Sequence, residues 1–305
     1  MPVASDPPSG RNERWVIVTP ARNEADRLPS LARSLESQLE GSVLRWIVVD
    51  DGSTDGTGSI AAGLAAQFPV TVLRREAESG LATGAAFAAF RLGAKEAWRL
   101  EPSATRIAKI DADVVLDSGY MSAIEASGAG TGIVGGVLAN DRERLDHVRG
   151  ALKAYSREAW ELVEDAIPAA LGWDVIDEEA VLAAGMRVIV VPDARAAITR
   201  RTGTSEGAMR GRVRAGVVSR WSGYHPAYFL LRLVRYLFRR PYGVGALAMV
   251  WGYTTAGAGP FPAELRAQMR ARQRGRLNSL VRSPRKYLLS AYGRMSRSQR
   301  QRSES

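Results

Sequence analysis

The sequence predicts an α/β fold, a doubly wound and mostly parallel sheet with helices on both faces, followed by a basic and mainly helical C-terminal extension. Strand-like apolar runs alternate with helical patterns through the first half of the chain. Short aspartate-rich segments interrupt this alternation where strands end. With 305 residues, 46% of them hydrophobic, the chain is long enough to bury a sizeable core.

Strands and helices alternate regularly from the first apolar run onwards. That run (WVIVT) is rich in β-branched residues, and leucines at helical spacing follow it, with Pro29 in a position that suits a first helical turn. The predicted elements are strand 15–19, helix 28–39, strand 44–49, a helix ending near 67, strand 70–73, helix 83–98 and strand 106–110. Such a series forms right-handed crossovers, and ligands bind beyond the carboxyl ends of its strands. The polar loops 20–24, 50–55 and 111–113 are expected there.

Two carboxylates follow the strand at 106–110, in the segment Asp111-Ala112-Asp113. In an extended segment, two carboxylates at this spacing can both approach one hard cation and the diphosphate that it bridges. Mg²⁺ and Mn²⁺ accept oxygen ligands of this type. The same pattern also occurs as an ordinary loop or helix-capping feature, and the motif alone leaves both interpretations open.

A denser acidic segment (DDGSTDG, residues 50–56) follows the second strand. A turn that caps the next helix accounts for Thr54 or Asp55. It does not account for Asp50 and Asp51 at the strand end. A carboxylate in that position can accept hydrogen bonds from a base N–H or from ribose hydroxyls.

Four motifs stand in order along residues 15–200. They are PARNE at 20–24, DDGSTDGT at 50–57, DAD at 111–113 and GWDVIDEE at 172–179, the last followed by AGMRV at 184–188 and VPD at 191–193. Together they resemble the family-2 inverting glycosyltransferases, which have the GT-A fold. Each motif is moderately specific, and their joint order carries the resemblance.

The resemblance implies a role for each motif. The nucleoside of the donor would be held by Pro20, Ala21, Arg22, Asn23, Glu24, Asp50 and Asp51. Asp111 and Ala112 would lie near the ribose or the sugar. Asp113, together with Asp111, would bind the Mn²⁺ or Mg²⁺ that bridges the diphosphate and stabilises the departing nucleoside diphosphate.

An aspartate of the fourth motif would be the catalytic base. Asp174 stands 11 residues before Gly185, where the family has its catalytic aspartate, and would deprotonate an acceptor hydroxyl in a single inverting displacement. Asp177, one helical turn further on, is the second choice. Acidic residues that suit the dipole of a helix N-terminus would account for the same pair without catalysis.

The sequence departs from the family pattern in two places, one that concerns metal binding and one that concerns the number of sugars transferred. Many relatives carry a metal-binding histidine after the VPD strand, whereas residues 196–201 here read AAITRR. Either the metal is held more loosely, or Arg200 and Arg201 supply positive charge to the diphosphate instead. The Gln-x-x-Arg-Trp motif of processive synthases is also missing, because Val217 stands where its glutamine would be. We therefore expect one sugar to be transferred per acceptor.

Positive charge is concentrated towards the C-terminus. From residue 195 onwards the chain has 23 Lys and Arg against three acidic residues, whereas the first 194 residues carry 19 basic and 29 acidic ones. Arginines lie beside an apolar helical face at 226–240, and the apolar segment 242–255 is shorter than the roughly 20 residues that span a bilayer. These features predict reversible contact with an anionic membrane surface. Packing on the catalytic domain, or a dimer interface, is the alternative.

Composition also suggests boundaries and a location. We expect a polar tail at 1–13, the catalytic domain at 14–205, a basic amphipathic helical extension at 206–295 and a disordered tail at 296–305. The chain has no cysteine, which fits a reducing compartment, and it begins without an apolar stretch resembling a signal peptide. We therefore expect a cytoplasmic protein, peripheral on the inner face of the cell membrane.

The sequence thus predicts a hexosyltransferase that moves a single hexose from a UDP- or GDP-linked donor to a lipid-linked or glycan acceptor, in cell-envelope glycan or glycolipid synthesis. One alternative is a catalytically impaired relative that binds nucleotide or membrane. Another is a nucleotidyltransferase, although residues 20–24 lack the glycine-rich phosphate loop of that class. No nucleic-acid partner is expected, because no helix-turn-helix, zinc or RNA-binding signature occurs. Homo-oligomerisation stays open.

Overall fold

The computed structural model describes residues 13–36, 38, 42–66, 68–76, 84–128, 130–139, 145–199, 208–237 and 242–285. Four features expected from the sequence lie outside these residues. They are the predicted N-terminal tail up to residue 12, Arg200, Arg201 and the predicted tail at 296–305.

Eight strands and ten helices make up the described part of the chain. They are β1 Trp15–Ala21, α1 Leu28–Glu36, β2 Val43–Asp51, α2 Thr57–Leu64, β3 Val70–Arg75, α3 Ala85–Leu100, β4 Arg106–Ile110, β5 Val114–Leu116, α4 Tyr120–Gly128, β6 Ile133–Leu138, β7 Leu152–Ser156, α5 Arg157–Ala166, α6 Trp173–Ala183, β8 Val188–Ile198, α7 Ala208–Trp221, α8 Pro226–Leu237, α9 Val244–Thr255 and α10 Ala263–Arg282. The strands and helices predicted for the first half are all present, with ends that differ by a few residues.

The strand β1 continues through Pro20, where the sequence predicted that it would end. Pro20 has no N–H to donate to a neighbouring strand, which normally excludes proline from the middle of a sheet. Here the pairing of β1 with β4 has already ended at Val18, which lies opposite Lys109. Only β2 still flanks the strand at Pro20, so the missing donor is tolerated.

All eight strands form one sheet in the order β3-β2-β1-β4-β7-β6-β8-β5. The first four of these pair in parallel, as predicted from the alternation of strands and helices. The strand β7 then runs antiparallel to both β4 and β6, and β5 runs antiparallel to β8. The antiparallel strand β7 was not predicted, because its sequence, LKAYS, lacks a continuous apolar run.

Each face of the sheet has its own hydrophobic core. Alternating residues of β1 point to opposite faces, Trp15 and Ile17 to one and Val16 and Val18 to the other. The first face is covered by α1, α2 and α4, and the second by α3, α5 and α6. The C-terminal helix α10 also contributes to the second core, through Leu265 and Met269. The last described helix of the chain therefore packs into the same core as α6.

The helices α7 and α9 cross at a point where both have glycine. A Cβ atom at Gly216 would lie 2.0 Å from the carbonyl oxygen of Met249, and one at Gly252 would lie 2.0 Å from that of Val213. The glycines that interrupt the apolar segment thus allow close helix packing. Within the described residues, no helix combines the length and the apolar character needed to cross a membrane.

We predict that Gly216→Ala lowers the free energy of unfolding by about 1–3 kcal/mol, because the added methyl group forces two helix backbones apart. Urea denaturation of the purified protein measures this change. Gly275→Ala is the matched control, since its Cβ would meet nothing within 4 Å and a helical Gly→Ala change alone stabilises by roughly 0.5–1 kcal/mol. Equal midpoints for both variants would contradict the close crossing.

Candidate active site

Three of the loops predicted to bind ligand lie side by side at one edge of the sheet. The strand β1 lies between β2 and β4, and Ala21 is the register partner of Asp50. Asp111 directly follows β4. Because parallel strands end at the same edge, the first three sequence motifs are brought together there, as expected.

Hydrogen bonds lock the first two loops into one unit. The Asn23 N–H donates to Ser53 Oγ (3.1 Å), and Asn23 Oδ1 accepts from the Thr54 N–H (2.8 Å). The Glu24 N–H donates to Thr57 Oγ1 (2.8 Å). Asn23 has a φ of 55°, in the left-handed region that asparagine tolerates better than most residues. The loop conformation is therefore built in before any ligand arrives.

The acidic pair at the end of β2 is buried and held by partners within the protein. Asp50 Oδ1 accepts a hydrogen bond from the Ser53 N–H (2.9 Å). Asp51 Oδ1 lies 3.1 Å from Arg75 Nη1, which also donates to the carbonyl of Ala85 (3.0 Å). Both carboxylates thus have fixed positions beside the Asn23 loop.

The neighbouring Asp55 stabilises the turn before α2, as the capping interpretation of this motif predicted. Its Oδ1 accepts from the Thr57 N–H (2.9 Å), and its Oδ2 accepts from the Ala25 N–H (3.2 Å). The hydrogen bond from the Thr57 hydroxyl is the largest of the effects that lower the pKa of Asp55. Asp55 therefore shapes the turn that leads into α2, and Asp50 and Asp51 are separate from it.

The turn between β4 and β5 is fixed through its backbone and through one lysine. The Asp113 carbonyl accepts hydrogen bonds from the Thr199 N–H (2.9 Å) and hydroxyl (3.0 Å). The Lys109 ammonium contacts the Asp111 carboxylate and donates to the carbonyl of Gly150 (2.9 Å). Thr199 thus holds the backbone of Asp113 in place.

The carboxylates of Asp111 and Asp113 have the chemistry of a metal site that substrate completes. The Asp111 side chain is 37% exposed, and Asp113 is half-buried. In the described part of the chain, no group of three His, Cys, Asp or Glu side chains could hold a metal ion by itself. Mg²⁺ in nucleotide sites is commonly bound by one or two carboxylates plus substrate phosphates, and Mn²⁺ accepts the same oxygen ligands. The residues present fit that mode.

Asp174 lies in the first turn of α6 and faces Gly150. A Cβ atom at Gly150 would lie 2.6 Å from Asp174 Oδ2, so this close approach requires glycine. The carbonyl of Gly150 is bound by Lys109, whose ammonium also lies 5.7 Å from the centre of the Trp173 ring. Lys109 therefore connects the Asp111 turn with the start of the helix that carries Asp174.

A cluster of cationic and aromatic side chains borders Asp174. Arg149 is half-buried and interacts electrostatically with Asp174 and with Tyr236 of α8. Burial lowers the pKa of Arg149, and these two neighbours oppose that effect. The Arg212 guanidinium of α7 stacks over the Tyr236 ring at 4.1 Å. The C-terminal helices thus reach the edge of the site beside Asp174.

Asp177 is fully buried beneath the surface that Asp174 faces. Its carboxylate is held by Lys153 (2.9 and 3.0 Å) and accepts a hydrogen bond from the Tyr155 hydroxyl (2.6 Å). Burial and the Asp177 charge raise the pKa of Tyr155, so its phenol stays protonated and donates. This environment suits an anchor for α6, and the half-buried Asp174 is the one of the two that a substrate can approach.

Lys109 and Lys153 form a cross-strand pair that sequence reasoning missed. They are register partners in the β4–β7 ladder, and both ammonium groups reach the α6 side of the sheet. Burial lowers the pKa of Lys153, but the carboxylates of Asp177, Glu178 and Asp174 outweigh it and raise the pKa above its usual value. The available signal was the lysine within the predicted apolar strand at 106–110, because its partner strand β7 was not predicted.

The sequence-predicted residues do not all take part in these contacts in the same way. Ala21 and Ala112 are buried and Pro20 is half-buried, whereas Arg22 is exposed at the loop surface. Arg200 and Arg201 lie outside the described residues, so their expected contact with the diphosphate stays a prediction.

Residues 16–124 match the family model of glycosyl transferase family 2. The chain is 40% identical over 102 residues to the undecaprenyl-phosphate mannosyltransferase of Micrococcus luteus, a match that covers 33% of this chain and 38% of that protein. It is 36% identical over 67 residues to the dolichol-phosphate mannosyltransferase of Pyrococcus furiosus, covering 22% and 19% respectively. The chain thus spans well under half the length of these curated relatives.

Two solved structures share the fold over most of the chain. A mannosyltransferase from Pyrobaculum calidifontis, in complex with GDP-Man and Mn²⁺, has a TM-score of 0.55 at 20% identity and covers 95% of this chain and 87% of that one. S. aureus TarS in complex with UDP-GlcNAc has a TM-score of 0.50 at 14% identity and covers 91% and 81%. At such identities the likeness shows the fold alone, and it confirms the α/β class of the GT-A type.

Proposed function

We propose that this chain, whose residues 16–124 belong to glycosyl transferase family 2, is an inverting hexosyltransferase that takes a single hexose from a nucleotide-diphosphate sugar. The observation that carries the proposal is the link made by Lys109. It joins the Asp111 turn, where the diphosphate would lie, to Gly150 and hence to Asp174, the candidate base. This link supports a single site for the donor and the base.

The donor would bind at the joined loops of β1 and β2. The carboxylates of Asp50 and Asp51 are held in place and suit hydrogen bonds from the base or the ribose. Asp111 and Asp113 would bind Mn²⁺ or Mg²⁺, which supplies Lewis-acid stabilisation of the leaving nucleoside diphosphate. The Pyrobaculum calidifontis structure, which contains GDP-Man and Mn²⁺, supports this donor chemistry.

Asp174 would accept the proton of an acceptor hydroxyl while the new bond forms at the anomeric carbon. The nucleoside diphosphate leaves from the opposite face, so one displacement inverts the configuration. The Lys153–Asp177 ion pair below would keep α6 in place during this step. Asp177 thus has a positioning role in the proposal, and Asp174 has the chemical one.

The acceptor that we propose is lipid-linked, and two acceptor groups are consistent with the site. The names of both curated relatives contain a polyprenyl phosphate. A phosphate acceptor is already ionised near neutral pH, with a second pKa of about 6, so it would need no base. Arg149 beside Asp174 offers it a positive charge. A hydroxyl acceptor would instead depend on Asp174.

The extension carries an exposed apolar face that fits an anionic membrane surface. This apolar face consists of residues on α8 and α9 that are exposed although large and hydrophobic: Leu230, Leu231, Val234, Leu237, Val244, Leu247, Val250 and Trp251. Between residues 208 and 285 the sequence has 15 arginines, and Glu264 is the one acid. Apolar contact combined with this charge suits an interfacial position on the inner face of the cell membrane.

We predict that Asp113→Ala weakens Mn²⁺-dependent nucleotide binding by about tenfold or more, because one of two carboxylate ligands is lost. The turn should persist, since Thr199 holds the Asp113 backbone. A thermal-shift screen with UDP-, GDP- and dTDP-sugars, with and without Mn²⁺, measures the effect and identifies the donor. Asp117→Ala, an exposed acid nearby, is the control. An unchanged Mn²⁺-dependent shift in Asp113→Ala would rule out this ligand assignment.

We predict that Asp174→Asn retains nucleotide-sugar binding and loses transfer to a hydroxyl acceptor by roughly 10²–10⁴-fold, the usual contribution of a general base. Transfer is measured with a radiolabelled donor and extracted membrane lipid as the acceptor. Asp177→Asn is the comparison variant and should lower stability, because Lys153 loses a buried charged partner. Full activity of Asp174→Asn would show that the acceptor needs no base there, as a lipid phosphate would not.

We predict that Leu247→Glu together with Trp251→Glu releases the protein from vesicles that contain anionic lipid. The two side chains are 70% and 65% exposed, and burying each in the interface would contribute on the order of 1.5–3 kcal/mol. Cosedimentation with the vesicles measures the loss. Val281→Glu is the control, because Val281 is 82% exposed on α10, outside the apolar face. Undiminished sedimentation of the double variant would argue against this contact.

A further inference from the structure

Two more acids of α6 are buried, and the reaction proposed above does not use them. Glu178 and Glu179 follow Asp177 directly, and both are almost fully inaccessible to solvent. A buried carboxylate is costly unless charged or hydrogen-bonding partners surround it. The groups that surround Glu178 and Glu179 therefore indicate which other parts of the protein hold α6 in place.

Part of the compensation comes from the C-terminal helix α10. Arg272 Nη2 lies 2.6 Å from Glu179 Oε1 and 3.6 Å from Glu178 Oε2. One turn further on, Arg276 Nη1 lies 3.2 Å from Asp146 Oδ2, and its Nη2 donates to the Asp146 carbonyl (2.8 Å). A single helix face thus binds both α6 and the segment that precedes β7.

That segment is in turn joined to α6. His147 Nδ1 lies 2.9 Å from Glu178 Oε1, and the Val148 N–H donates to the same oxygen (2.9 Å). Burial alone raises the pKa of Glu178, but His147, Lys153 and Arg272 together lower it below its usual value. Glu178 is therefore held as a carboxylate at the junction of three elements.

These contacts fix the two walls between which the candidate base lies. Asp174 belongs to the first turn of α6, and its carboxylate approaches Gly150 at the end of the 145–150 segment. A small rotation of α6, or a shift of that segment, would change the distance between the Asp174 carboxylate and an acceptor. Displacements of about 1 Å are enough to reduce a chemical step severely.

We propose that Arg272 and Arg276 of α10 are positioning residues, which set the geometry of Asp174 by binding Glu179 and Asp146. The C-terminal helix is then part of the catalytic unit, whereas composition had suggested an appended extension. The proposal rests on the proposed function for its kinetic consequence, since it concerns the transfer that Asp174 serves. Its structural consequence, an ordered junction of α6 and the 145–150 segment, is independent of that function.

The test compares Arg272→Gln with Arg272→Lys and with Arg274→Gln in the full chain. Arg274 is exposed on the same helix and serves as the matched control. We expect Arg272→Gln to lower kcat by about tenfold or more while the KM for the donor stays within about twofold, because the donor loops are untouched. Arg272→Lys should recover part of the kcat, since it restores the charge without the planar guanidinium. Arg274→Gln should behave like wild type.

Amide hydrogen exchange supplies a readout that does not need activity. Residues 145–150 and the first turns of α6 should exchange faster in Arg272→Gln and Arg276→Gln than in Arg274→Gln. Glu179→Gln combined with Arg272→Gln should restore part of the protection, because removing both charges costs less than removing one. If Arg272→Gln fails to fold, the double variant and Arg276→Gln still test the proposal. Arg276 is half-buried.

Exchange at the junction that is equal in all variants, or a kcat of Arg272→Gln equal to that of Arg274→Gln, would overturn the proposal. A loss of donor binding that matches the loss of kcat would also overturn it, since it would indicate general damage. A wild-type protein that transfers no sugar would refute the proposed function instead. In that case the exchange data still decide whether α10 orders the junction.

Discussion

The geometry of the site depends on two buried lysines that lie opposite each other on β4 and β7. Like charges in a cross-strand pair are unfavourable, and burial adds to the cost. Lys109 pairs with the Asp111 carboxylate and donates to the Gly150 carbonyl, and Lys153 pairs with the Asp177 carboxylate and donates to the Asp174 carbonyl. Each partner belongs to an element of the site, so satisfying the two charges also assembles it.

The helix α6 shows how this constraint is combined with ordinary packing. Its apolar side is held in the second core, where the Trp173 ring stacks on Phe87 at 4.4 Å. Its polar side carries four acids, of which the three that follow the first turn are buried and paired with cations. Asp174 is the acid left half-buried at the surface of the site. Packing fixes the helix axis, and the ion pairs fix its rotation.

The C-terminal helices connect the same site to a surface of a different kind. Tyr236 of α8 interacts electrostatically with Arg149, while other residues of α8 and α9 form the exposed apolar face. The stacked rings of Phe229 and Tyr253, 4.3 Å apart, hold these two helices together. The helix α8 thus contributes both to the edge of the site and to the exposed apolar face.

The sequence by itself determined the alternation of strands and helices and the three strand-end loops, because both follow from local patterns of apolar and acidic residues. It also pointed to Asp174 and Asp177 as a pair. Only the tertiary structure separated the half-buried Asp174 from the fully buried Asp177, since that depends on Lys153, more than 20 residues away. The sequence likewise did not predict the antiparallel strand β7, the link made by Lys109 or the contacts of Arg272. They are long-range pairings, and no local pattern encodes which distant charge a buried carboxylate will meet.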